Sequence, residues 1–337
     1  MTSTPTPAGT RHRIGIVGAG AIGGHVAARL SAAGHDVTLL ARGATLQALR
    51  TSGLRYATGG QAPVRHEVRA ESSPAAIGAQ DLVILTLKSQ AIPAVAPTLA
   101  PLLADSTPVL TLNNGLPWWY FLVPGVPQSG LRLASVDPGG VTESAIGLSR
   151  VLGGTIMASC HCPEPGVVAH GAGGRIALGE PAGGTSERAT HWAGVLARAG
   201  LGAVASPQVR SDLWLKLLGN VCSNPLSLLT GVTTDRMLDD AGVRALFASM
   251  MDECIALGRR LGLTIETDAA QRMAQTRQLG AIRSSMLQDL EGGRSVELDA
   301  ILGAPIECAL AIGHGVPRLQ DVYALARLRA AGAGLYP

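Results

Sequence analysis

An α/β domain built on a parallel sheet, followed by an all-α domain, is the fold class that this sequence predicts. Three observations predict it. A short apolar run, Arg13–Val17 (RIGIV), leads directly into Gly18-Ala19-Gly20-Ala21-Ile22-Gly23 and a helical pattern. Similar apolar runs recur at 36–40, 81–87 and 108–112, as strands of a sheet buried on both faces would. After Pro207 the strand signals fade and long amphipathic helical patterns take over. The predicted division is a flexible tail over 1–10, an α/β domain over 11–207 and a helical domain over 208–337.

Composition narrows the function classes. Of the 337 residues, 47% are hydrophobic and 15% charged, enough for a sizeable core and too little charge for a disordered chain. Net charge is only +3 with no basic block, which argues against nucleic acid as a partner. No apolar run reaches the ~18–20 residues that crossing a bilayer needs. Arg11-His12-Arg13 before an Ala-rich stretch faintly resembles a signal peptide, but the glycine pattern over the same residues accounts for it better. Five scattered cysteines, an odd number, make no disulfide framework and point to the cytoplasm. Cys160-His161-Cys162 with His170 nearby raises a metal. The C-x-C spacing lacks a second cysteine pair and the segment alternates like a strand, so no metal is expected there. Of the 27 Lys and Arg residues only Lys88 and Lys216 are lysine. Arginine stays protonated at any useful pH, whereas lysine can give up its proton.

The first element is the most specific. A strand, a G-x-G-x-x-G loop, a helix over about 22–33 closed by Gly34, and a second strand (DVTLL, 36–40) follow in order. Gly18 permits the tight turn, Gly20 lets a pyrophosphate approach the backbone, and Gly23 lets the helix pack on the strand. The helix N-terminus favours the phosphate charge. This is the Rossmann-type dinucleotide-binding arrangement, with Gly18, Ala19, Gly20, Ala21, Ile22 and Gly23 as the cofactor loop. At the end of the second strand, where an acid would bind the ribose 2′-hydroxyl of NAD, stands Arg42. Arginine pairs with the 2′-phosphate of NADP, which makes NADP the expected cofactor.

Later strands end in polar residues. The run 81–87 leads to Lys88-Ser89, and 108–112 leads to Asn113-Asn114-Gly115. Ligands of open α/β sheets sit beyond the carboxyl ends of strands, which makes Lys88 and Asn114 candidates for cofactor or anion contact. A plain Asn-Gly turn is the alternative. Trp118, Trp119 and Tyr120 then cluster in a chain with ten aromatics, either walling a pocket or packing in the core. Val-, Ile-, Thr- and Gly-rich residues 131–178 predict antiparallel strands, and a helix over about 186–199 closes the domain.

Helical patterns then cover about 208–230, 238–262, 265–289 and 297–313. The first carries Lys216, Asn220 and Asn224 at i, i+4, i+8, one side of a helix, among apolar Leu213, Leu217, Leu218 and Val221. Polar groups in such company need partners, which favours a functional stripe over a solvated one. Pro225 predicts a break or end just after Asn224. A second polar cluster holds Ser284, Ser285, Gln288, Asp289, Arg294, Glu297 and Asp299. Glu297 and Asp299 read either as helix caps or, for one of them, as a substrate ligand.

Together these residues resemble the ketopantoate reductase family, from about 13 to 328. The carrying motifs are GAGAIG at 18–23, LLAR at 39–42, TLKS at 86–89, NNG at 113–115 and PEPGVVAHGAGGRIALGEP at 163–181. WLKLLGNVCSNPLSLLTG at 214–231 and SSMLQDLEGGRSVELDAILG at 284–303 are the specific ones. The resemblance implies a Rossmann domain with a helical domain like the C-terminal one of 6-phosphogluconate dehydrogenase. It implies NADPH-dependent reduction of a 2-oxo acid to a 2-hydroxy acid, most of all ketopantoate to pantoate, in the cytoplasm, by a monomer or homodimer. By motif, Lys216 matches the catalytic lysine and Glu297 the carboxylate that holds the substrate hydroxyl. Ser285 matches the serine that binds the substrate carboxylate, and Asn220 and Asn224 its other polar ligands. Arg42, Lys88 and Asn114 match positions contacting NADPH, Asn114 near the nicotinamide and the substrate. One departure stands out: where the family continues N-G-[ML]-G, this chain reads Gly115-Leu116-Pro117-Trp118-Trp119. A related reductase of another 2-oxo acid, an opine or hydroxyacid dehydrogenase, and a non-catalytic NADP sensor are the alternatives. The full set of helical-domain residues speaks against the sensor, which needs only the first domain's motifs.

Overall fold

The protein is described here by a computed structural model covering residues 10–336, so nearly all of the expected tail over 1–10 lies outside the described residues. Ten strands form one sheet: β1 (Arg13–Val17), β2 (Asp36–Leu40), β3 (Leu54–Thr58), β4 (Val64–His66), β5 (Arg69–Glu71), β6 (Leu82–Leu85), β7 (Val109–Thr111), β8 (Val151–His161), β9 (Val167–Gly179) and β10 (Ala203–Ala205). The order is β4-β3-β9-β8-β7-β6-β1-β2-β5, with β10 beside β9. Strands β5, β2, β1, β6, β7 and β8 run parallel, and β8 and β9 pair antiparallel.

The helices of the first half are α1 (Ala21–Ala32), α2 (Gly43–Ser52), the short α3 (Pro74–Ile77), α4 (Ile92–Val95) and α5 (Val141–Ile146), and α6 (Glu187–Arg198). The second half holds α7 (Val209–Thr230), α8 (Thr234–Asp239), α9 (Ala241–Arg260), α10 (Ala269–Gln278), α11 (Ser285–Glu291), α12 (Ala304–Ala311) and α13 (Pro317–Gly332).

Four local expectations need correction. Residues 131–150 form no strand, and the antiparallel pair starts only at Val151. Gly139 and Gly140 there adopt positive φ, and the Asp137 carboxylate accepts from Thr142 N (2.8 Å) and Glu143 N (3.0 Å), capping α5 instead. The pattern over 265–289 splits into α10 and α11, because Gly280 turns left-handed and the Ser284 hydroxyl starts a new helix at Leu287 N. The pattern over 238–262 divides similarly at Asp240, whose carboxylate caps α9. Pro225 does not end its helix: α7 runs through it to Thr230, where Gly231 takes the αL conformation. A buried proline lacks one intrahelical bond, and packing on both sides of α7 holds the helix across that gap.

Two buried apolar clusters flank the sheet. One holds α1 and α6 against a face of the central strands through Val26, Leu30, Trp192 and Leu196. The other begins at Val83 and Leu85 of β6, takes in the aromatic run, and continues without interruption into α7, α9 and α13. Trp118, Trp119, Tyr120 and Phe121 are all buried in it, so this run is core. Trp119 donates to Thr111 Oγ1 (3.0 Å), and the Tyr120 hydroxyl donates to the Arg210 carbonyl (2.9 Å). Large apolar side chains buried this completely contribute about 1.5–3 kcal/mol each. They seat the α7 end that carries Lys216 firmly against the sheet.

Candidate active site

The loop after β1 has the shape that its glycines require. Gly18 sits at φ +113°, and a Cβ there would meet the Thr86 and Leu87 backbone at 3.0 Å. At Gly23 a Cβ would lie 1.9 Å from the Gly18 carbonyl, so only glycine lets α1 start there. At Gly20 a Cβ would meet nothing within 4 Å. The loop is therefore closed on its protein side and open outward at Gly20, the N-cap of α1, where amide N–H groups lack helical partners. Arg42 stands exposed two residues beyond β2.

The chain leaves β1 toward β2 on one side and returns to β6 on the other, which opens a crevice at the carboxyl ends of β1 and β6. Lys88 and Ser89 follow β6, and Asn113 and Asn114 follow β7, at the same edge of the sheet. Gly115 (φ +77°) presses against the helical half: a Cβ there would fall 2.2 Å from the Ala300 carbonyl oxygen. That carbonyl instead accepts from Leu116 N at 2.9 Å. Ala300 belongs to a π-helical turn, Asp299–Gly303, that starts two residues after Glu297. The close approach thus brings Glu297 to the strand ends.

Three sequence-predicted residues meet there. Lys216 Nζ, from the N-terminal part of α7, donates to Asn114 Oδ1 at 2.9 Å. Asn114 Nδ2 donates to Glu297 Oε2 at 3.0 Å. Glu297 Oε1 accepts from Ser89 N (3.1 Å) and Ser89 Oγ (3.4 Å), and Ser89 Oγ also reaches the Asn114 carbonyl (3.1 Å). Glu297 is buried, and its carboxylate is spent on Ser89 and Asn114, not on the N-terminus of its own helix. Burial raises its pKa, and the Asn114 and Ser89 hydrogen bonds oppose that. Burial lowers the Lys216 pKa to about 8, with the Glu297 charge opposing. The site therefore holds a lysine able to release or hold a proton near neutral pH, aligned by an amide that a carboxylate orients.

Asn220 lies half-buried one turn beyond Lys216, and Asn224 is buried one turn further. Asn224 Nδ2 reaches Ser285 Oγ at 3.4 Å, so Asn224 and the exposed Ser285 form a second polar pair along the same helix. Lys88 is engaged across the crevice, with its ammonium 2.7 Å from Asp289 and 2.6 Å from the Ser295 carbonyl. Asp289 also holds Arg294 at 3.0 Å. Asp299 faces elsewhere, accepting from Tyr323 (2.6 Å) and Tyr336 (2.8 Å) hydroxyls. Sequence reasoning did not single out Ser89 or Asp289 as site residues. Ser89 had a signal, its place directly after Lys88 at a strand's carboxyl end, whereas nothing in the sequence joins Asp289 to Lys88.

Comparison with known proteins identifies the family of the chain. The family profile "Ketopantoate reductase PanE/ApbA" matches residues 14–183, and "Ketopantoate reductase PanE/ApbA C terminal" matches 208–330. A curated 2-dehydropantoate 2-reductase of Mesorhizobium japonicum is 42% identical over 328 residues, covering 96% of this chain and 99% of the relative. A crystal structure from Ralstonia solanacearum MolK2, provisionally described as a ketopantoate reductase, superposes with a TM-score of 0.92 at 45% identity, covering 96% of this chain and 99% of that one. A D-mandelate dehydrogenase in ternary complex with NADH and anilino(oxo)acetate shares the fold, with a TM-score of 0.82 at 21% identity over 96% of this chain and 99% of its own. The chain belongs to the ketopantoate reductase family.

Proposed function

We propose that this protein reduces 2-dehydropantoate (ketopantoate) to (R)-pantoate with NADPH, a step toward pantothenate and coenzyme A, in the cytoplasm. The observation that carries the reading is the hydrogen-bonded line Lys216–Asn114–Glu297, which joins the helical half to the strand ends beside the glycine loop.

The residues present fit a nicotinamide dinucleotide. The loop is open at Gly20 and closed at Gly18 and Gly23, which is what a pyrophosphate cradle requires. Arg42 supplies the positive charge at the end of β2 that a 2′-phosphate needs and a bare ribose does not. Lys88, held by Asp289, adds a cation at the same crevice. Bound NADPH would supply the hydride that reduces the ketone carbon.

The chain's own residues account for the rest. As negative charge develops on the ketone oxygen, the Lys216 ammonium stabilises it and delivers its proton there, leaving a neutral amine and the alcohol. Asn114 holds Nζ in line by its carbonyl, and Glu297 fixes the amide so that its oxygen faces Lys216. Glu297, which keeps lone pairs beyond those used by Ser89 and Asn114, would also accept a hydrogen bond from the substrate hydroxyl. Ser285, with Asn224 beside it and Asn220 one turn nearer Lys216, would take the substrate carboxylate.

The test is a panel of 2-oxo acids assayed by NADPH absorbance with ketopantoate included. Ketopantoate should give the highest kcat/KM, and NADPH should exceed NADH. A different acid preferred by tenfold or more would replace ketopantoate, and no turnover of any 2-oxo acid would overturn the reading.

A further inference from the structure

A second cluster of chemically capable side chains lies behind the glycine loop. It joins His25 of α1 to Cys160 of β8 and His170 of β9. One ligand atom from each lies within 4.8 Å of the others. Three features of the backbone assemble it. Gly24 lets α1 settle on β9, since a Cβ there would sit 2.5 Å from the Val168 side chain. Cys160 and His170 are cross-strand partners. Register shifts at Met157/Ala158 and Ser159/Cys160 re-aim the hairpin beside that pair, as bulges commonly do next to functional sites.

The hydrogen bonds leave the right atoms free. His170 Nε2 lies 3.0 Å from the Gly173 carbonyl. A carbonyl only accepts, so Nε2 carries the proton and the neutral ring keeps its lone pair on Nδ1. That Nδ1 is buried with no partner among the described residues. At His25, Nδ1 lies 2.8 Å from the Tyr56 hydroxyl, which can accept from it, while Nε2 is buried without a partner among the described residues. His25 is only 2% exposed, so water does not readily satisfy that nitrogen. Two unpartnered imidazole nitrogens and a thiol sulfur belong to this one cluster, the two rings stack with centroids 4.7 Å apart, and each imidazole is hydrogen-bonded through its other nitrogen. Metal-binding histidines are held in this way.

We propose that His25, Cys160 and His170 form a transition-metal site, taking Zn2+ through two imidazole nitrogens and one thiolate, that fastens α1 to the β8–β9 hairpin. Thiolate and imidazole together select a borderline-soft ion over Mg2+ or Ca2+. Zinc bonds of about 2.0–2.3 Å place tetrahedral ligand atoms roughly 3.5 Å apart, within a small side-chain adjustment of the present spacing. As the sulfur–metal bond forms, the Cys160 thiol releases its proton to solvent. Three protein ligands leave a fourth position for water. The sequence expectation of no metal rested on Cys160, His161, Cys162 and His170 alone. His25 belongs to a distant helix that the fold carries over the hairpin.

The test uses the full chain, stripped with a chelator and titrated with Co2+ and then Zn2+. One Co2+ per chain should bind with a thiolate-to-cobalt charge-transfer band, and Zn2+ should displace it. Cys160→Ser should abolish the band, and His25→Gln and His170→Gln should each weaken Zn2+ binding by at least about tenfold. Cys162→Ser should leave stoichiometry and band intact. Circular dichroism checks each variant's fold, and His170→Gln, at a half-buried position, keeps the test decisive where Cys160→Ser fails to fold. Absence of stoichiometric binding, or a band and affinity that Cys160→Ser and His170→Gln leave in place, would overturn the proposal.

Discussion

The Lys216 ammonium and the Glu297 carboxylate are linked through the two ends of one amide: Asn114 accepts from Lys216 Nζ at 2.9 Å and donates to Glu297 Oε2 at 3.0 Å. The orientation of that amide is forced. An ammonium can only donate and a carboxylate can only accept, so the Asn114 oxygen must face Lys216 and its nitrogen Glu297. Each of the three comes from a different element, so the link exists only in the folded chain. Ser89 anchors its far end through both its N–H and its hydroxyl.

Lys216→Ala removes the proposed proton donor and leaves the glycine loop untouched. Turnover should fall by about 10²–10⁴-fold, the usual range for a positioned general acid. NADPH binding, read by fluorescence titration, should stay within a few-fold of the parent. Turnover near the parent value would show that the proton comes from elsewhere. The melting temperature should hold or rise, because burial disfavours the charged lysine in the folded state.

The pH profile carries a definite sign. Under the proposed mechanism reduction needs protonated Lys216, whose pKa burial lowers to about 8. In the free enzyme kcat/KM should be flat below that value and fall about tenfold per pH unit above it. Oxidation of the 2-hydroxy acid needs the neutral amine and should rise over the same range. The limb near 8 should be missing from the residual activity of Lys216→Ala. A limb that persists there would assign it to another group.

Glu297→Gln tests the link without changing shape. The new amide puts a donor opposite either Asn114 Nδ2 or Ser89 N, both of which already donate. Turning Asn114 over to relieve the first clash presents its NH2 to the Lys216 ammonium. One donor–donor contact survives in every arrangement that keeps Lys216 protonated, at about 1–3 kcal/mol. Steady-state kinetics should show kcat down about 5–100-fold with a raised KM for a hydroxyl-bearing 2-oxo acid. Unchanged kcat and KM would return Glu297 to a structural role.

Gly115→Ala tests the seam between the halves. A methyl group there overlaps the Ala300 carbonyl and must also adopt φ +77°. Relief requires moving the π-helical turn that follows Glu297, so stability and activity should fall together. A loss of more than about 2 kcal/mol by urea unfolding is expected for a clash with backbone at a left-handed position. An alanine variant with parental stability and turnover would mean that the seam is loose.

How far the sequence could be read depended on the range of the interaction. The glycine loop, β1, α1 and β2 are encoded within a few residues, by sterics that only glycine satisfies and by apolar runs, so they were legible. So was the stripe Lys216, Asn220, Asn224, because helical periodicity alone puts these residues on one side. Pairings between distant segments were not legible: Ser89 with Glu297, Lys88 with Asp289, and Gly115 against Ala300 depend on how the halves dock. The failures at 131–150 and 265–289 have a local cause. Capping by Asp137 and Ser284 and left-handed glycines outweighed the apolar periodicity that suggested strands or one long helix. At Pro225 the balance tips the other way, since packing carries α7 through a residue that locally favours a break.

The proposed role of Arg42 is to distinguish the two dinucleotides. It stands exposed where the second strand ends, and its side chain can pair with a dianionic 2′-phosphate but offers nothing specific to a ribose hydroxyl. A charge-assisted hydrogen bond of this kind is worth about 1.5–3 kcal/mol, or roughly 10–100-fold in affinity. Arg42→Ala should therefore raise the KM for NADPH by that factor and change the KM for NADH by less than about threefold. Arg42→Asp should go further, repelling the phosphate and offering the ribose diol a carboxylate, so that NADH becomes the better substrate. Initial-rate measurements with both cofactors at fixed ionic strength distinguish the outcomes. Equal losses for NADPH and NADH in the alanine variant would mean that Arg42 acts on a part common to both, such as the pyrophosphate or the fold of α2, and not on the 2′-phosphate.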